Sequence, residues 1–375
     1  MGTVLLLCAG CGTPNPVQSD GEILSALSRV TEGESKCEFP FGGDNGRDLF
    51  FTVRSKNNAS SNIYRKEDPF STSMSQKTAG KNFYESPTFC PLTNKMAFSG
   101  RQDGALNRDI YMVDASQGNA LTQVTNTLEA DENHPSLNRT GDAIVFEKIS
   151  YGRVKESEIW IKNLRTNETT LLGLGRQPSF SPDGQYIAFV KYTDDGLNTC
   201  LWTMRADGTG AQQLTYAKND LVFNPRFSPD GQRIVFQCSP KRISKNFDLY
   251  VIDRNGNNLT QLTINKSYDG EPYWASDGNI YFTSDRGGKN GRFHIWRFKY
   301  GNASSTPVSS PMMQSAPVSA PSPSYHSSSY HVVSQGETVT QVAQKYGVTV
   351  RDIVKWNSLN TMTLTPGMRI KVSGQ

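Results

Sequence analysis

Polar side chains that directly precede proline are the residues of this sequence best placed to do chemistry. They recur in five segments, as Ser86, His134, Gln177, Asn224 and Glu271. Histidine and glutamate can exchange protons, and the other three can donate or accept hydrogen bonds. Such a set suits the binding of a polar partner. A simpler interpretation, in which polar side chains at a wet position have no ligand, is equally compatible with the pattern.

Signals for catalysis or metal binding are otherwise weak. The chain has four histidines: His134, His294 in a predicted strand, and His326 and His331 near the C-terminus, where we expect exposed side chains. There is no Gly-x-Ser-x-Gly, phosphate-binding loop or His-Glu-x-x-His motif, and Cys8 and Cys11, the only cysteines at Cys-x-x-Cys spacing, lie in the apolar N-terminal segment with no second cysteine pair or histidine pair to complete a zinc site. Isolated Asp-Gly pairs lack the ligand run of a calcium loop. We predict no catalytic residue, no metal and no cofactor, and a protein that is not an enzyme.

A repeat sets the positions of these polar side chains. Residues 224–236 read Asn-Pro-Arg-Phe-Ser-Pro-Asp-Gly-Gln-Arg-Ile-Val-Phe, and residues 177–189 are nearly the same. Each copy predicts a strand, a tight turn on Pro-Asp-Gly and a second strand. The Asp-Gly pair supplies the positive φ that a hairpin turn needs, and the apolar run after it favours a strand.

The same unit occurs six times along the chain. An aromatic residue or leucine before the turn is paired with a phenylalanine after it: Phe41/Phe50, Phe89/Phe98, Leu137/Phe146, Phe180/Phe189, Phe227/Phe236 and Trp274/Phe282. Successive first members lie 48, 48, 43, 47 and 47 residues apart. Each pair is followed by a second aromatic anchor: Tyr64, Tyr111, Trp160, Trp202, Tyr250 and Trp296. Four short strands per repeat of this length are typical of a β-propeller blade, so we predict six blades.

The sequence before the first repeat predicts how the propeller ring closes. The sixth repeat runs into Ser and Pro before its fourth strand, whereas residues 27–31 match the fourth strand at residues 121–125. An N-terminal strand that completes the last blade removes an exposed sheet edge. The predicted propeller therefore covers residues 23–302.

The flanking segments have different compositions. Residues 1–11 are an apolar run ending in Ala-Gly-Cys11, residues 12–22 are a polar tether, and residues 303–329 contain 11 Ser and 5 Pro, typical of a flexible linker. The first segment resembles the end of a bacterial lipoprotein signal, although it lacks the basic start. That resemblance implies lipidation of Cys11; the alternative is an apolar start with a chance cysteine.

Residues 330–373 predict a separate small βααβ module. Residues 330–333 form a strand, Thr338 is a helix N-cap, a second helix follows Thr349, and residues 369–372 form the last strand. The segment resembles a LysM domain in its Gly-Glu-Thr-Val, Lys-Tyr-Gly-Val and Leu-x-Pro-Gly runs. The resemblance implies binding of N-acetylglucosamine polymers, chiefly peptidoglycan. Its sugar groove would be formed by Gly336, Glu337, Thr338, Val339, Leu359, Asn360, Thr361 and Met362.

The repeats resemble the propeller of the TolB family, whose members are periplasmic partners of the Pal lipoprotein. The residues on which this resemblance rests are the Phe-Ser-Pro-Asp-Gly runs and the Ile-Tyr or Ile-Trp strands. A full TolB has a separate α/β domain before the propeller, for which this sequence has no room. First strands of propeller blades line the channel, so Ser86, His134, Gln177, Asn224 and Glu271 are expected to ring one mouth as a rim that binds a partner.

These features together predict a cell-envelope binding protein. The propeller would dock a protein such as a Pal-like lipoprotein, the LysM domain would bind peptidoglycan, and a lipid at Cys11 would anchor the protein to the outer membrane. The net charge of +4 gives no strong attraction to nucleic acid. The alternative is a lyase or hydrolase acting on wall glycans, for which the expected feature is an acid–base pair in the channel.

Four cysteines lie in the predicted propeller: Cys37, Cys90, Cys200 and Cys238. An exported location would permit disulfides. Cys37 and Cys90 both fall near the start of a predicted first strand, in neighbouring blades, and could pair; buried free thiols are the alternative.

Overall fold

The structure is a computed structural model. It describes residues 25–42, 47–116, 120–216, 220–239, 246–287, 292–300, 330–335, 337–346, 348, 350–357, 364–365 and 367–372. Cys11, the segments 1–11 and 12–22, and the linker 303–329 therefore lie outside the described residues.

The first part of the chain forms six antiparallel blades, as the sequence predicts. Blade 1 contains β2 (Lys36–Gly42), β3 (Leu49–Arg54), β4 (Ser61–Lys66) and β5 (Ser75–Gln76). Blade 2 contains β6 (Phe83–Cys90), β7 (Lys95–Arg101), β8 (Asp109–Asp114) and β9 (Thr122–Gln123). Blade 3 contains β10 (Ala130–Leu137), β11 (Ala143–Ser150), β12 (Glu158–Asn163) and β13 (Thr169–Leu174), with a 3₁₀ turn at Val154–Glu156.

The other three blades follow the same order. Blade 4 contains β14 (Arg176–Phe180), β15 (Tyr186–Tyr192), β16 (Thr199–Arg205) and β17 (Gln212–Gln213). Blade 5 contains β18 (Leu221–Phe227), β19 (Arg233–Ser239), β20 (Asp248–Asp253) and β21 (Thr260–Gln261). Blade 6 contains β22 (Asp269–Trp274), β23 (Asn279–Ser284), β24 (His294–Lys299) and, from the N-terminus, β1 (Ser25–Arg29).

One aromatic pair at the same place in every blade supports the cores between blades. A phenylalanine on the second strand faces a tyrosine or tryptophan on the third: Phe51–Tyr64, Phe98–Tyr111, Phe146–Trp160, Phe189–Trp202, Phe236–Tyr250 and Phe282–Trp296. Facing aromatic pairs are favourable cross-strand contacts. The second aromatic anchors read from the sequence are therefore in register with one another.

The predicted anchor pair of blade 1, Phe41/Phe50, is wrong: the structurally equivalent residues are one position later on each strand, at Gly42 and Phe51. Phe51 faces Tyr64 in the position of Phe98, so Phe50 is not the equivalent anchor. Gly42 likewise holds the place that Phe89 holds in blade 2. A side chain at Gly42 would come within 2.7 Å of the Tyr273 ring, which fills this space from blade 6.

The N-terminal strand closes the ring. β1 pairs with β24 in antiparallel fashion, and the Val30 N–H donates to the Ile295 carbonyl at 2.8 Å. The Ile295 N–H then donates to Thr31 Oγ1 at 2.9 Å. Fourth-strand threonines make the same bond in four other blades, at Thr78, Thr125, Thr215 and Thr263. The N-terminal segment thus reproduces the hydrogen bonding of an ordinary fourth strand.

Side-chain hydrogen bonds, in addition to the backbone bonds, hold the N-terminal segment in blade 6. Lys66 Nζ donates to the Val30 carbonyl at 2.7 Å, and Arg297 Nε donates to Ser28 Oγ at 3.1 Å. Arg29 lies 3.0 Å from a ring nitrogen of the buried His294. Burial and the charge of Arg29 lower the pKa of His294 to about 4, so this imidazole is neutral at neutral pH.

The C-terminal module has its own small core. Strands β25 (Tyr330–Val332) and β26 (Arg369–Lys371) pair, and helices α1 (Val339–Tyr346) and α2 (Val350–Asn357) lie between them in the chain. Val342, Ile353 and Ile370 are fully buried in one cluster. Thr338 and Gln341 form a reciprocal capping box at the start of α1, as expected of the predicted N-cap.

All four propeller cysteines are buried free thiols in the structure. Cys37 lies near the start of β2, but Cys90 is the last residue of β6, so the expectation that both lie near the start of a first strand is wrong. The two thiols lie near opposite ends of adjacent first strands. Burial raises the pKa of both Cys37 and Cys200 to about 11.

We expect Thr31→Val to lower the free energy of unfolding by about 1–3 kcal/mol, because the buried Ile295 N–H loses its acceptor. Urea unfolding followed by tryptophan fluorescence measures the change. Thr31→Ser keeps the hydroxyl and is the matched control. Equal stability of the Val and Ser variants would show that the bond from the Ile295 N–H to residue 31 does not stabilise the closure of the ring.

Candidate functional site

Each first strand is interrupted by a bulge at a residue that precedes proline. The residues have left-handed backbones, with φ of 55° at Phe39 and Ser86, 50° at His134, 51° at Gln177 and 52° at Asn224 and Glu271. Strand pairing shifts register at the same points in all six blades. This conformation is unfavourable for residues other than glycine, so the surrounding structure must maintain it.

The structure brings the five predicted rim residues together in one ring and adds a sixth. Phe39 of blade 1 is equivalent to them, and its signal in the sequence was the following Pro40. The expectation that they ring a mouth needs correction: Ser86, Asn224 and Gln177 are buried, and the His134 side chain is 18% exposed. Two of these side chains, Gln177 and Glu271, accept hydrogen bonds from the next blade.

Hydrogen bonds between blades satisfy the backbone of the bulges. In four blades the N–H of the left-handed residue donates to a side chain of the preceding blade. The bonds are Gln177 to Glu147 at 3.2 Å, Asn224 to Gln177 at 2.8 Å, Glu271 to Gln237 at 2.7 Å and Phe39 to Glu271 at 3.0 Å. Two of the polar residues noticed in the sequence, Gln177 and Glu271, therefore join one blade to the next with their side chains.

Glu147 is the centre of one charged group in the channel. Its fully buried carboxylate lies 3.0 Å from His134 Nδ1 and accepts from Arg176 Nε at 2.6 Å. Arg176 also donates to the Tyr192 hydroxyl at 3.0 Å. Burial opposes the charge of Glu147, but the hydrogen bond from His134 and the charge of Arg176 outweigh it, and the pKa of Glu147 is lowered.

A second charged group spans blades 1 and 2. Arg54 pairs with Glu38 and, at 2.8 Å, with Glu85, whose other oxygen accepts from Arg108 at 2.9 Å. Glu271 lies beside this group. Burial and the charge of Glu38 raise the pKa of Glu271 to about 7. Sequence reasoning missed these pairs because their members lie on separate strands, and in the Arg54–Glu85 pair on separate blades, at no fixed spacing.

One mouth of the channel carries a chain of aromatic rings, which we call the aromatic mouth. The rings lie near the starts of the first and third strands of blades 5 and 6, and they belong to Phe223, Phe247, Tyr268 and Phe293. Consecutive ring centroids are 5.8, 5.6 and 5.2 Å apart. All four side chains are half-buried. Half-exposed aromatic groups of this kind are enriched at protein interfaces.

The opposite mouth is formed by the hairpins between first and second strands, and we call it the hairpin mouth. It contains a cavity of about 250 Å³. Its walls carry rings such as Phe41, Phe180 and Tyr273, five serine or asparagine side chains, and the arginines Arg139 and Arg226. No pattern in the sequence indicated this cavity, because side chains of unequal size from separate blades create it.

Three of the predicted sugar-binding residues are described in the C-terminal module. Thr338 is exposed, Val339 is buried in the core, and Glu337 accepts hydrogen bonds from the Ser334 N–H at 2.8 Å and lies 2.6 Å from His331 Nε2. The Ser334 bond, with His331, lowers the pKa of Glu337. His331 is buried, contrary to the expectation of exposure. Gly336 and the predicted set Leu359, Asn360, Thr361 and Met362 lie outside the described residues.

Metal and membrane signals were sought in the described ranges. No group of three or more His, Cys, Asp or Glu side chains there could hold a metal ion. No helix of the described chain is long and apolar enough to cross a membrane.

Two domain families match the chain. Residues 176–351 match the TolB beta propeller domain, and residues 331–373 match the LysM domain. The first match includes blades 4 to 6. Blades 1 to 3 lie outside it but share their strand order and bulges.

Individual proteins with similar sequences or structures include TolB proteins, as the propeller match does. A Tol-Pal system protein TolB of Francisella tularensis subsp. mediasiatica is 30% identical over 112 residues, which is 30% of this chain. The match spans a quarter of the length of that relative. A putative TolB from Agrobacterium tumefaciens has a similar structure, with a TM-score of 0.56, 18% identity and coverage of 72% of this chain and 93% of that one. An oligogalacturonate lyase in complex with manganese has a TM-score of 0.52, 16% identity and coverage of 74% and 93%. The structural likenesses show the fold.

We expect Glu271→Gln to change how stability depends on pH. The pKa of Glu271 is raised to about 7, from 4.5 in the unfolded chain, so its contribution is fully present below pH 4.5 and is lost as pH rises through 7. Glutamine cannot ionise and can still accept from the Phe39 N–H. The variant should therefore gain stability relative to the natural protein between pH 5 and pH 8, by up to about 1.4 kcal/mol per pH unit.

Thermal unfolding at several pH values measures this difference. Glu129→Gln, at an exposed position, is the control and should follow the natural protein. A constant difference between Glu271→Gln and the natural protein at all pH values would show that Glu271 stays charged in the folded state.

Proposed function

We propose that this chain, which joins a TolB-type β-propeller domain to a C-terminal LysM domain, is a binding protein of the bacterial cell envelope that links a protein partner to peptidoglycan. The observation that carries the proposal is the presence of both domains in one chain. Two weak contacts made by one molecule reinforce each other, because the second binds at a high effective concentration.

The LysM domain is the wall-binding part of this proposal. Its ligand is an N-acetylglucosamine polymer, and its groove is formed by residues 336–339 and 359–362. The described part of that region supports a fixed groove wall: the capping box at Thr338 and the contacts of Glu337 with Ser334 and His331 hold the loop before α1. Thr338 and Ser334 are the exposed residues among them.

The aromatic mouth is the proposed docking surface for the protein partner. Buried aromatic and arginine side chains carry much of the binding energy of protein interfaces. Arg176 starts a first strand and Arg54 ends a second strand, so both lie at the same end of the blades as this mouth. The partner rim read from the sequence acts indirectly in this proposal, by fixing the first strands that carry this surface. A Pal-like lipoprotein is the proposed partner.

The proposed location follows from the two ligands. Peptidoglycan and an envelope lipoprotein are both available in the periplasm. A lipid at Cys11, with the tether 12–22, would hold the propeller at the outer membrane while the linker 303–329 lets the LysM domain reach the wall. The lipid anchor itself is a proposal from the Ala-Gly-Cys11 sequence alone.

A binding role is proposed in preference to catalysis on wall glycans. The raised pKa of Glu271, close to Glu38, favours an acid–base function more than any other described feature. However, Glu271 already accepts from the Phe39 N–H and, at 2.6 Å, from the Thr283 hydroxyl. These bonds use the carboxylate to join blades 6 and 1. Release of new muropeptides from sacculi by the intact protein would instead favour a lyase or hydrolase.

We expect the intact chain to sediment with purified sacculi and a chain ending at residue 302 to remain in the supernatant. The physical reason is that the proposed sugar groove lies entirely in residues 330–373. Soluble N-acetylglucosamine oligomers should compete with the sacculi and release the intact chain. Sedimentation of the shortened chain to the same extent would place wall binding in the propeller and contradict the LysM assignment.

We expect Phe247→Ala to weaken partner capture by about tenfold or more, the loss typical of a central aromatic contact. The immobilised chain is incubated with detergent-solubilised envelope, and bound proteins are quantified by mass spectrometry. Leu92→Ala removes a side chain that is 67% exposed on the hairpin mouth and is the matched control. Equal losses with both variants, or loss with Leu92→Ala alone, would exclude the aromatic mouth as the docking surface.

A further inference from the structure

The cavity of the hairpin mouth is lined by two arginines and by no acid: Arg139 is exposed at its edge, and Arg226 is half-buried. The inner position just after each bulge proline is occupied by Phe41, Thr88, Ser136, Ser179, Arg226 and Tyr273. The three small residues leave space on one side of the channel, and Arg226 lines that space. No Asp or Glu lines the cavity.

Arg226 differs from the arginines at the other end of the channel. Arg54, Arg108 and Arg176 each pair with a glutamate. In the part of the chain that the structure describes, the Arg226 guanidinium has neither a hydrogen-bond partner nor an ion pair. Burial lowers the pKa of Arg226 to about 10, so it remains charged at neutral pH. Removing a charge from water without a partner costs free energy. A ligand of opposite charge would offset this cost, so the position of Arg226 indicates a binding site for an anion.

A much smaller space borders the cavity at the level of the bulges. It has a volume of about 10 Å³, and Arg226 lines it together with Phe39, Ser86, Asn224 and Glu271. That space holds one water molecule at most. The room for a ligand beside Arg226 is therefore on the side of the hairpin mouth.

The walls define the rest of the ligand. Rings and apolar groups such as Phe180, Phe227 and Trp274 surround the cavity, with Ser136 and Ser179 beside the space that Arg226 lines. The volume of about 250 Å³ suits one or two small residues rather than a large side chain or an oligosaccharide. A guanidinium pairs with a carboxylate through two parallel hydrogen bonds, which fixes the orientation of the ligand.

We propose that the hairpin mouth binds the terminal α-carboxylate of a peptide, with Arg226 as its partner and with small terminal residues filling the apolar cavity. This site is separate from both the LysM groove and the aromatic mouth, and it does not depend on either. Peptide carboxylates of this kind have two sources in an envelope: the stem peptides of peptidoglycan, which end in D-alanine, and the C-termini of proteins, which end in an L-residue.

Calorimetric titration of the intact chain with four small peptides tests the proposal. The probes are N-acetyl-D-Ala-D-Ala, N-acetyl-L-Ala-L-Ala and the C-terminal amide of each. At least one free acid should bind, and its amide should bind at least about tenfold more weakly because it lacks the charge. Preference for the D-peptide identifies stem peptides as the source, and preference for the L-peptide identifies protein C-termini.

Variants show whether Arg226 is responsible. Arg226→Gln should weaken binding by at least about tenfold, while Arg226→Lys should retain part of it. Arg139→Gln removes an exposed arginine at the edge of the same cavity and should bind as the natural protein does. Without ligand, Arg226→Gln should unfold at the same temperature as the natural protein or at a higher one, because it removes an unpaired charge. This excludes misfolding as the cause of lost binding.

Three results would overturn the proposal. They are equal binding of acids and amides, unchanged binding by Arg226→Gln, and no binding of either acid by a protein that is folded and still sediments with sacculi. The last result separates failure of this site from failure of the LysM function.

Discussion

The propeller depends on hydrogen bonds that cross from one blade to the next at the bulges of the first strands. A left-handed residue before proline breaks the strand pairing and leaves a backbone N–H that must be satisfied in a water-poor wall. Glu147, Gln177, Gln237 and Glu271 accept this N–H across four of the described blade junctions. Each blade therefore completes the backbone of its neighbour, and the ring is stable only when it is closed.

This constraint separates two kinds of polar residue in the channel. Acidic and amide side chains near the bulges and the aromatic mouth are paired with arginines or with the backbone, and they maintain the fold. Arg226, on the other side of the bulges, has no such role among the described residues and lines the cavity of the hairpin mouth. The ring of bulges, bonded across four described junctions, thus lies between two different mouths, one aromatic and one cationic.

Much of the fold could be predicted from the sequence because each blade repeats the same local signals. The aromatic anchors of all six blades, the Asp-Gly turns of several of them and the threonine that follows the fourth strand in five of them specify six blades and a closing strand at residues 27–31. The prediction was one residue out in blade 1, because Tyr273 of blade 6 fills the space above Gly42, and sequence spacing carries no information about a neighbour from the other end of the chain.

The candidate sites were less predictable for a related reason. The residues before proline were correctly recognised as a set, but their burial depends on the neighbouring blade that each side chain reaches. Glu271 and Glu38 come from blades at opposite ends of the propeller sequence, and Arg226 looks like any other polar position of a first strand. Its character is visible only once the small side chains of Ser136 and Ser179 are seen around the same cavity.

The central claim is that one molecule holds a protein partner and the cell wall at the same time, and a bridging experiment tests it most directly. Purified sacculi are mixed with the partner captured by the aromatic mouth, with or without the intact chain, and then sedimented. The account predicts that the partner sediments only when the intact chain is present, and that neither Phe247→Ala nor a chain ending at residue 302 replaces it. Sedimentation of the partner without the chain, or equal recovery with the shortened chain, would contradict the account.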